Sequence, residues 1–239
     1  MFKRQQHNRI AQVLHALNGH FLLENRCLFA GGTVIAMRYG EYRESIDIDF
    51  LVSDSGCYRN LREILTGSKG LTAIVYESSA PLMQAREFRA DQYGIRTMLL
   101  VDNQLIKLEI VHEGRIEIAP PSVADEVCGI ATLTPLDMAT SKLLANSDRW
   151  NDDGVFSRDL IDLAMMNPSL LLLRQAVAKA EPAYGAAILR DLEKAINALQ
   201  TRHGWLERCM QVMAMNLPKA QLWQKLRALR RVLRATASE

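Results

Sequence analysis

Nothing in the 239-residue chain amounts to an uninterrupted apolar run of roughly 18 residues or more, so no membrane-spanning helix is expected. The start, Met1-Phe2-Lys3-Arg4-Gln5-Gln6-His7, is mostly polar and lacks the apolar stretch of a secretory signal. There is no CxxC pair. Cys27, Cys57, Cys128 and Cys209 are scattered, which argues against a disulfide framework or a zinc site and for reduced thiols in the cytoplasm. Internal repeats and low-complexity tracts are absent as well. The formal net charge of +2 is too small to select a class of partner. Its distribution says more, because the segment from Lys219 carries Lys225, Arg227, Arg230, Arg231 and Arg234 besides, against Glu239 alone.

With 49% hydrophobic and 23% charged residues, the chain belongs to the ordinary globular class and can bury one large core or two small ones. Helical spacing of Ile10, Val13, Leu14 and Leu17 predicts a helix over residues 9–21. Cys27 to Ala30 reads as a buried strand, Gly31-Gly32 breaks it, and Thr33 to Tyr39 opens a helix. Ile46 to Val52 alternates carboxylates with apolar residues, the period of a strand. A short helix over 61–65 and a strand over 71–76 are expected next. Strands over 87–90, 94–101 and 105–111 follow, the last two joined as a hairpin by Asp102-Asn103. Pro120-Pro121 marks a boundary, beyond which the pattern turns helical. Thr134-Pro135 starts one helix, with Asp137 in its first turn, and Ser157 can cap another. Further helices are expected over 170–180, 186–199, 206–213 and 219–234. The fold class is therefore α+β, with a mixed-sheet domain over residues 1–119 and an all-helical domain over 120–239.

Two positions carry chemistry. Asp47 and Asp49 lie two apart on a strand, so both carboxylates leave one face while Ile46, Ile48 and Phe50 face the core. Adjacent carboxylates repel, and a divalent cation is the common reason for tolerating them. Mg²⁺ takes oxygen ligands and keeps places for waters and phosphates. The alternative is a solvated sheet face with two incidental aspartates. Gly31-Gly32-Thr33 weighs against it, because glycines at a helix start let backbone N–H groups approach a phosphate. A third acid comes from Leu105-Ile106-Lys107-Leu108-Glu109-Ile110-Val111, where Lys107 and Glu109 share the polar face. Glu109 can complete a carboxylate triad, and Lys107 can neutralise phosphate or tune Glu109. A surface ion pair is the plainer reading of those two.

Gly31-Gly32-Thr33 followed by Ser45-Ile46-Asp47-Ile48-Asp49 resembles the first motif of the polymerase-β-like nucleotidyltransferases. The long gap between GG and DxD, and the later helical motifs, look most like the AbiEii/AbiGii-type toxins of bacterial toxin–antitoxin and abortive-infection systems. Lys107-Leu108-Glu109 matches the second motif in type, Asp137 with Lys142 resembles the third, and Arg158-Asp159-Leu160-Ile161-Asp162 resembles the fourth. Arg158 stands where relatives often carry Lys, and no carboxylate is lost. The resemblance covers residues 27–165.

The resemblance implies a nucleotidyltransferase fold and transfer of a nucleoside monophosphate from an NTP (ATP, GTP, CTP or UTP), with release of pyrophosphate. It implies two Mg²⁺ ions on Asp47, Asp49 and Glu109, with Lys107 beside them. It places the nucleotide on Gly31, Gly32, Thr33 and Ser45, with Thr33 donating to a phosphate, and on Asp137, Lys142, Asp159 and Asp162. Asp159 and Asp162 share a helix face and can instead anchor Lys142 and Arg149. The acceptor it implies is RNA, tRNA included, or protein, and the partner is an antitoxin protein. The basic helix over 219–234 can follow an RNA backbone, or it can be a solvated face above Leu222, Leu226, Leu229 and Val232. Two other functions stay open: a nucleotidyltransferase acting on a small molecule such as an aminoglycoside, and a non-catalytic nucleotide-binding relative.

Overall fold

A computed structural model describes residues 1–235, and side chains as far as Leu233. Glu239 and the side chain of Arg234, both part of the basic-segment reading, lie outside the described residues. The chain forms two compact units. The first comprises Met1–Arg38 and Ser45–Thr134, and the second comprises Tyr39–Glu44 and everything from Pro135 onward. The division thus falls at Thr134-Pro135, past the proline pair expected to mark it, and six residues of the N-terminal half belong to the helical unit.

In the first unit the elements run α1 (Gln5–Ala16), α2 (Gly19–Glu24), β1 (Leu28–Ala30), α3 (Gly31–Arg38), β2 (Ile48–Val52), α4 (Ser55–Thr66), β3 (Met83–Ala90), β4 (Gly94–Val101), β5 (Gln104–His112) and a small hairpin of β6 (Glu126–Val127) and β7 (Ile130–Ala131). Five strands form one mixed sheet in the order β1-β2-β5-β4-β3. Only the β2–β5 pair is parallel. Asp102 and Asn103, at φ +47° and +60°, form the two-residue turn of the β4–β5 hairpin. That turn sets the register, and Ile106, Leu108 and Ile110 fall on the fully buried face with Ile95 and Leu99. Phe29 and Phe50 pack at 5.8 Å between centroids within this core.

Three expectations need correction here. The helix over 9–21 is two helices, because Leu17 turns extended and bridges to Val75. Asn18 then caps α2 by accepting from the Phe21 N–H at 3.0 Å. The strand over 71–76 is instead a 3₁₀ turn, Gly70–Ile74, which buries Leu71 and Ile74 at the three-residue spacing of that helix. Finally, Ile46 precedes β2 and is 58% exposed, while Ile48 and Phe50 are buried as expected.

The second unit holds α5 (Pro135–Arg149), α6 (Arg158–Met166), α7 (Leu170–Tyr184), α8 (Ala187–Thr201), α9 (Trp205–Val212), α10 (Lys219–Leu229) and α11 (Arg231–Ala235). Pro135 occupies the first turn of α5, where its missing N–H has no cost. Helix α5 packs against α6, α7 and α8. Ser169 caps α7, accepting from Leu172 N–H at 3.1 Å. Ser157 precedes α6 but makes no cap. It sits in the left-handed region at φ +51°, and its hydroxyl accepts the Trp205 indole N–H at 3.1 Å. The basic segment expected as one helix breaks at Arg230 into α10 and α11. Leu222, Leu226, Leu229 and Val232 are buried along it.

Candidate active site

The register of the sheet builds the site in the first unit. Ala30, the last residue of β1, pairs with Asp49, and on the other side Asp49 pairs with Glu109. Asp47 directly precedes β2, two residues before Asp49, with Ile48 buried between them. Gly31 follows Ala30 directly and adopts φ +73°. A Cβ built there would lie 2.5 Å from Asp49 Oδ2 and 2.9 Å from Asp49 Cβ. The glycine therefore serves two purposes: it permits the left-handed turn into α3 and it lets the backbone lie against the carboxylate.

Thr33 is buried in α3, and its hydroxyl donates to the Asp47 carbonyl at 2.6 Å. With that proton committed, the 2.7 Å contact to Ser45 Oγ requires Ser45 to be the donor. The Ser45 N–H points to His7 Nε2 at 3.3 Å. Thr33 and Ser45, expected beside a phosphate, are thus bonded to each other, and Thr33 to the backbone at Asp47.

Glu109 is in the predicted place but is neutralised. Arg96 donates from Nε at 2.5 Å to one oxygen, and Lys107 donates to the other. Burial raises the Glu109 pKa, yet the hydrogen bonds from Lys107 and Arg96 outweigh it and hold the carboxyl below its ordinary range. Arg96 also bonds Asp91 at 2.9 Å. Arg96 is a partner of Glu109 that the sequence pattern did not single out. Counting back from the two-residue turn at Asp102-Asn103 pairs it with Glu109, so the signal was present.

Among the described residues no three His, Cys, Asp or Glu side chains are gathered to hold a metal ion. The carboxylate of Glu109, beside Asp49 in the sheet, is held by two cations, Arg96 and Lys107. The donor set still fits a hard divalent cation in kind. Asp47 and Asp49 bring carboxylate oxygens two residues apart at the start of β2, and Glu109 is paired with Asp49 across the sheet.

Gly32 lies in the first turn of α3, and the remaining predicted residues, Asp137, Lys142, Asp159 and Asp162, lie in the second unit, tied into ion pairs. Lys142 on α5 is buried, with its ammonium 2.9 Å from both Asp159 and Asp162 on α6. Arg149 grips Asp159 at 2.7 and 3.0 Å. Arg43, from the Tyr39–Glu44 strap, grips Asp162 at 2.7 and 3.0 Å, and Tyr42 donates to the same carboxylate at 2.6 Å. Burial works against every charge here. The opposing charges win, holding both aspartates below and Lys142 above their ordinary ranges. Asp137 is fully buried and pairs with Lys179 of α7. Anchoring of Lys142 and Arg149 is therefore the reading of Asp159 and Asp162 that the geometry supports. Tyr42 and Arg43 were missed, because a loop pattern gives no sign of a buried partner far along the chain.

The AbiEii nucleotidyl transferase toxin family, of type IV toxin–antitoxin systems, matches residues 12–231. No curated protein matches the chain in sequence. A crystal structure of a nucleotidyltransferase candidate from H. pylori is similar in fold, at TM-score 0.51 and 14% identity, over 96% of each chain. A second, of JHP933 from Helicobacter pylori, gives TM-score 0.50 and 16% identity over 100% of this chain and 97% of that one.

Proposed function

Because the chain belongs to the AbiEii family and is a nucleotidyltransferase of the type IV toxin–antitoxin class, we propose that it moves a nucleoside monophosphate from an NTP to a hydroxyl of an RNA, with tRNA foremost. The acceptor oxygen bonds to the α-phosphorus while the bond from that phosphorus to the bridging oxygen of the β-phosphate breaks. Pyrophosphate leaves, and the hydroxyl proton passes to water. The carrying observation is the pairing of Asp49 with Glu109 on one side and with Ala30, next to Gly31, on the other.

Asp47 and Asp49 are the residues to hold magnesium, which when bound would orient the triphosphate and make the acceptor hydroxyl more acidic. The open turn at Gly31-Gly32 offers backbone N–H groups to the phosphates. Thr33 and Ser45 keep Asp47 in place. The lowered pKa of Glu109 makes it a poor proton acceptor, which favours ligation or charge balance over general-base work. In the helical unit, Arg149 is the half-exposed member of the network around Asp159 and Asp162, and so the cation there best able to meet a phosphate. No helix among the described residues is long and apolar enough to cross a membrane. A cytoplasmic site of action, with an antitoxin to oppose it, fits the NTP and RNA substrates.

The test is incubation with each labelled NTP, Mg²⁺ and total RNA, beside an Asp47→Ala/Asp49→Ala variant. Label appearing in RNA and lost in the variant supports the reading. Label in small molecules or protein alone redirects it to another acceptor. No transfer to anything, with no metal-dependent NTP binding, removes it.

A further inference from the structure

The polar face of the sheet continues beyond Glu109. Arg96 of β4 is paired with Glu109, and Arg89 of β3 is paired with Arg96. One row further along, Lys107, Met98 and Arg86 stand side by side across the same three strands. Arg86, Arg89, Arg96, Met98 and Lys107 line a cavity of about 390 Å³.

Two of its four cations are already matched, Arg96 by Asp91 and Glu109, and Lys107 by Glu109. Arg86 and Arg89 make no ion pair or side-chain hydrogen bond among the described residues, and both are exposed. Register shifts between Gln84 and Arg86, and again between Arg86 and Arg89, let both arginines face the same groove. Glu87 and Asp91 also border it, so the acids do not outnumber the bases there. Tyr93, in the connection between β3 and β4, is 66% exposed and offers a ring on which a base can stack.

Strand order puts this groove on the far side of Asp49 from the Gly31 turn. Gly31, the phosphate turn, follows β1 on one side of Asp49, whereas β5, β4 and β3 lie on the other. With strands about 4.8 Å apart, Arg89 stands roughly 15 Å from Asp49, away from Gly31. We propose that the β3–β5 face is the acceptor surface, with Arg86 and Arg89 holding backbone phosphates of a single-stranded polynucleotide whose hydroxyl is presented at Asp49. This rests on the nucleotidyl-transfer reading above. Charged residues on an edge strand also discourage edge-to-edge pairing, and the experiment separates that role from binding.

The probe is a fluorescein-labelled oligouridylate, read by anisotropy against the whole chain over a salt series. An Arg86→Ala/Arg89→Ala variant is expected to bind about tenfold more weakly. Its log–log salt slope is expected to fall by roughly 1 to 1.5, the loss of two single-strand phosphate contacts. Arg86→Lys/Arg89→Lys should keep most of the affinity, since positive charge is what the phosphates need. Affinity for a fluorescent NTP should stay unchanged in both. Unchanged oligonucleotide affinity, or an equal loss of NTP affinity, overturns the acceptor surface. Arginine-dependent oligonucleotide binding without any transfer activity would uphold the surface and count against the proposed reaction instead.

Discussion

The guanidinium of Arg43 meets both oxygens of Asp162, and side-chain exposure there is only 3% and 0%. A carboxylate so completely removed from water is stable only while its partners stay. Losing one partner of a buried pair leaves an uncompensated charge, which costs about 3–5 kcal/mol. We expect Arg43→Met and Asp162→Asn each to lower the unfolding free energy by an amount in that range. The double variant should lose less than the sum, since neither charge is then stranded. Urea denaturation of the four proteins decides this, and additive losses would show that the pair is not coupled.

The same network predicts a pH dependence. Asp159 and Asp162 have folded pKa values below the ordinary aspartate value of 3.8, so their contribution is complete above that value and lost as pH falls beneath it. Lys142 is shifted upward, so its contribution is complete below the ordinary lysine value of 10.5 and lost only as pH rises beyond it. The stability difference between the parent chain and Asp162→Asn should therefore be flat through neutral pH and shrink below pH 3.8. A difference that changes between pH 5 and 8 would contradict the assignment.

Gly31→Ala tests the contact with Asp49. The added methyl meets the carboxylate at 2.5 Å, and φ +73° is unfavourable for any side chain. Displacing a reacting group by about 1 Å can cost about a hundredfold in rate, and that is the loss expected. Gly129→Ala is the control. It has φ +79° with open space around it, so it carries the backbone penalty alone and should keep its activity. Equal rates for the two variants would dissociate Gly31 from catalysis.

Lys107→Met removes a hydrogen bond and a charge that depress the Glu109 pKa. That pKa should rise, because burial is then opposed by Arg96 alone. If transfer needs ionised Glu109, the acidic limb of the pH–rate profile moves to higher pH. An unmoved limb would mean that the ionisation of Glu109 does not limit the reaction.

Local pattern was enough to place the carboxylates. The alternation around Asp49 and Glu109 fixed their faces, and Asp102-Asn103 fixed the turn and with it the pairing of Arg96. Long-range partners were not legible. Nothing in the sequence joins Arg43 to Asp162, because the pairing depends on which unit the strap enters. The shared face of Asp159 and Asp162 offered Lys142 as a partner, but helix spacing alone does not decide between that pairing and a reach for phosphate. Ile46 was misplaced because alternation alone does not reveal where pairing begins, and Leu71 to Ile74 because short apolar runs suit a strand and a 3₁₀ turn alike.

The strap also sets an order of assembly during synthesis. Tyr42 and Arg43 are synthesised before β2, yet the carboxylate they hold arrives only with α6. A nascent chain that has completed its sheet still carries Arg43 without that counter-ion, and a fragment beginning at Pro135 carries Asp162 without Arg43. The helical unit is thus built from two stretches of message that are read at different times, and its buried charges can balance only after the second has been translated.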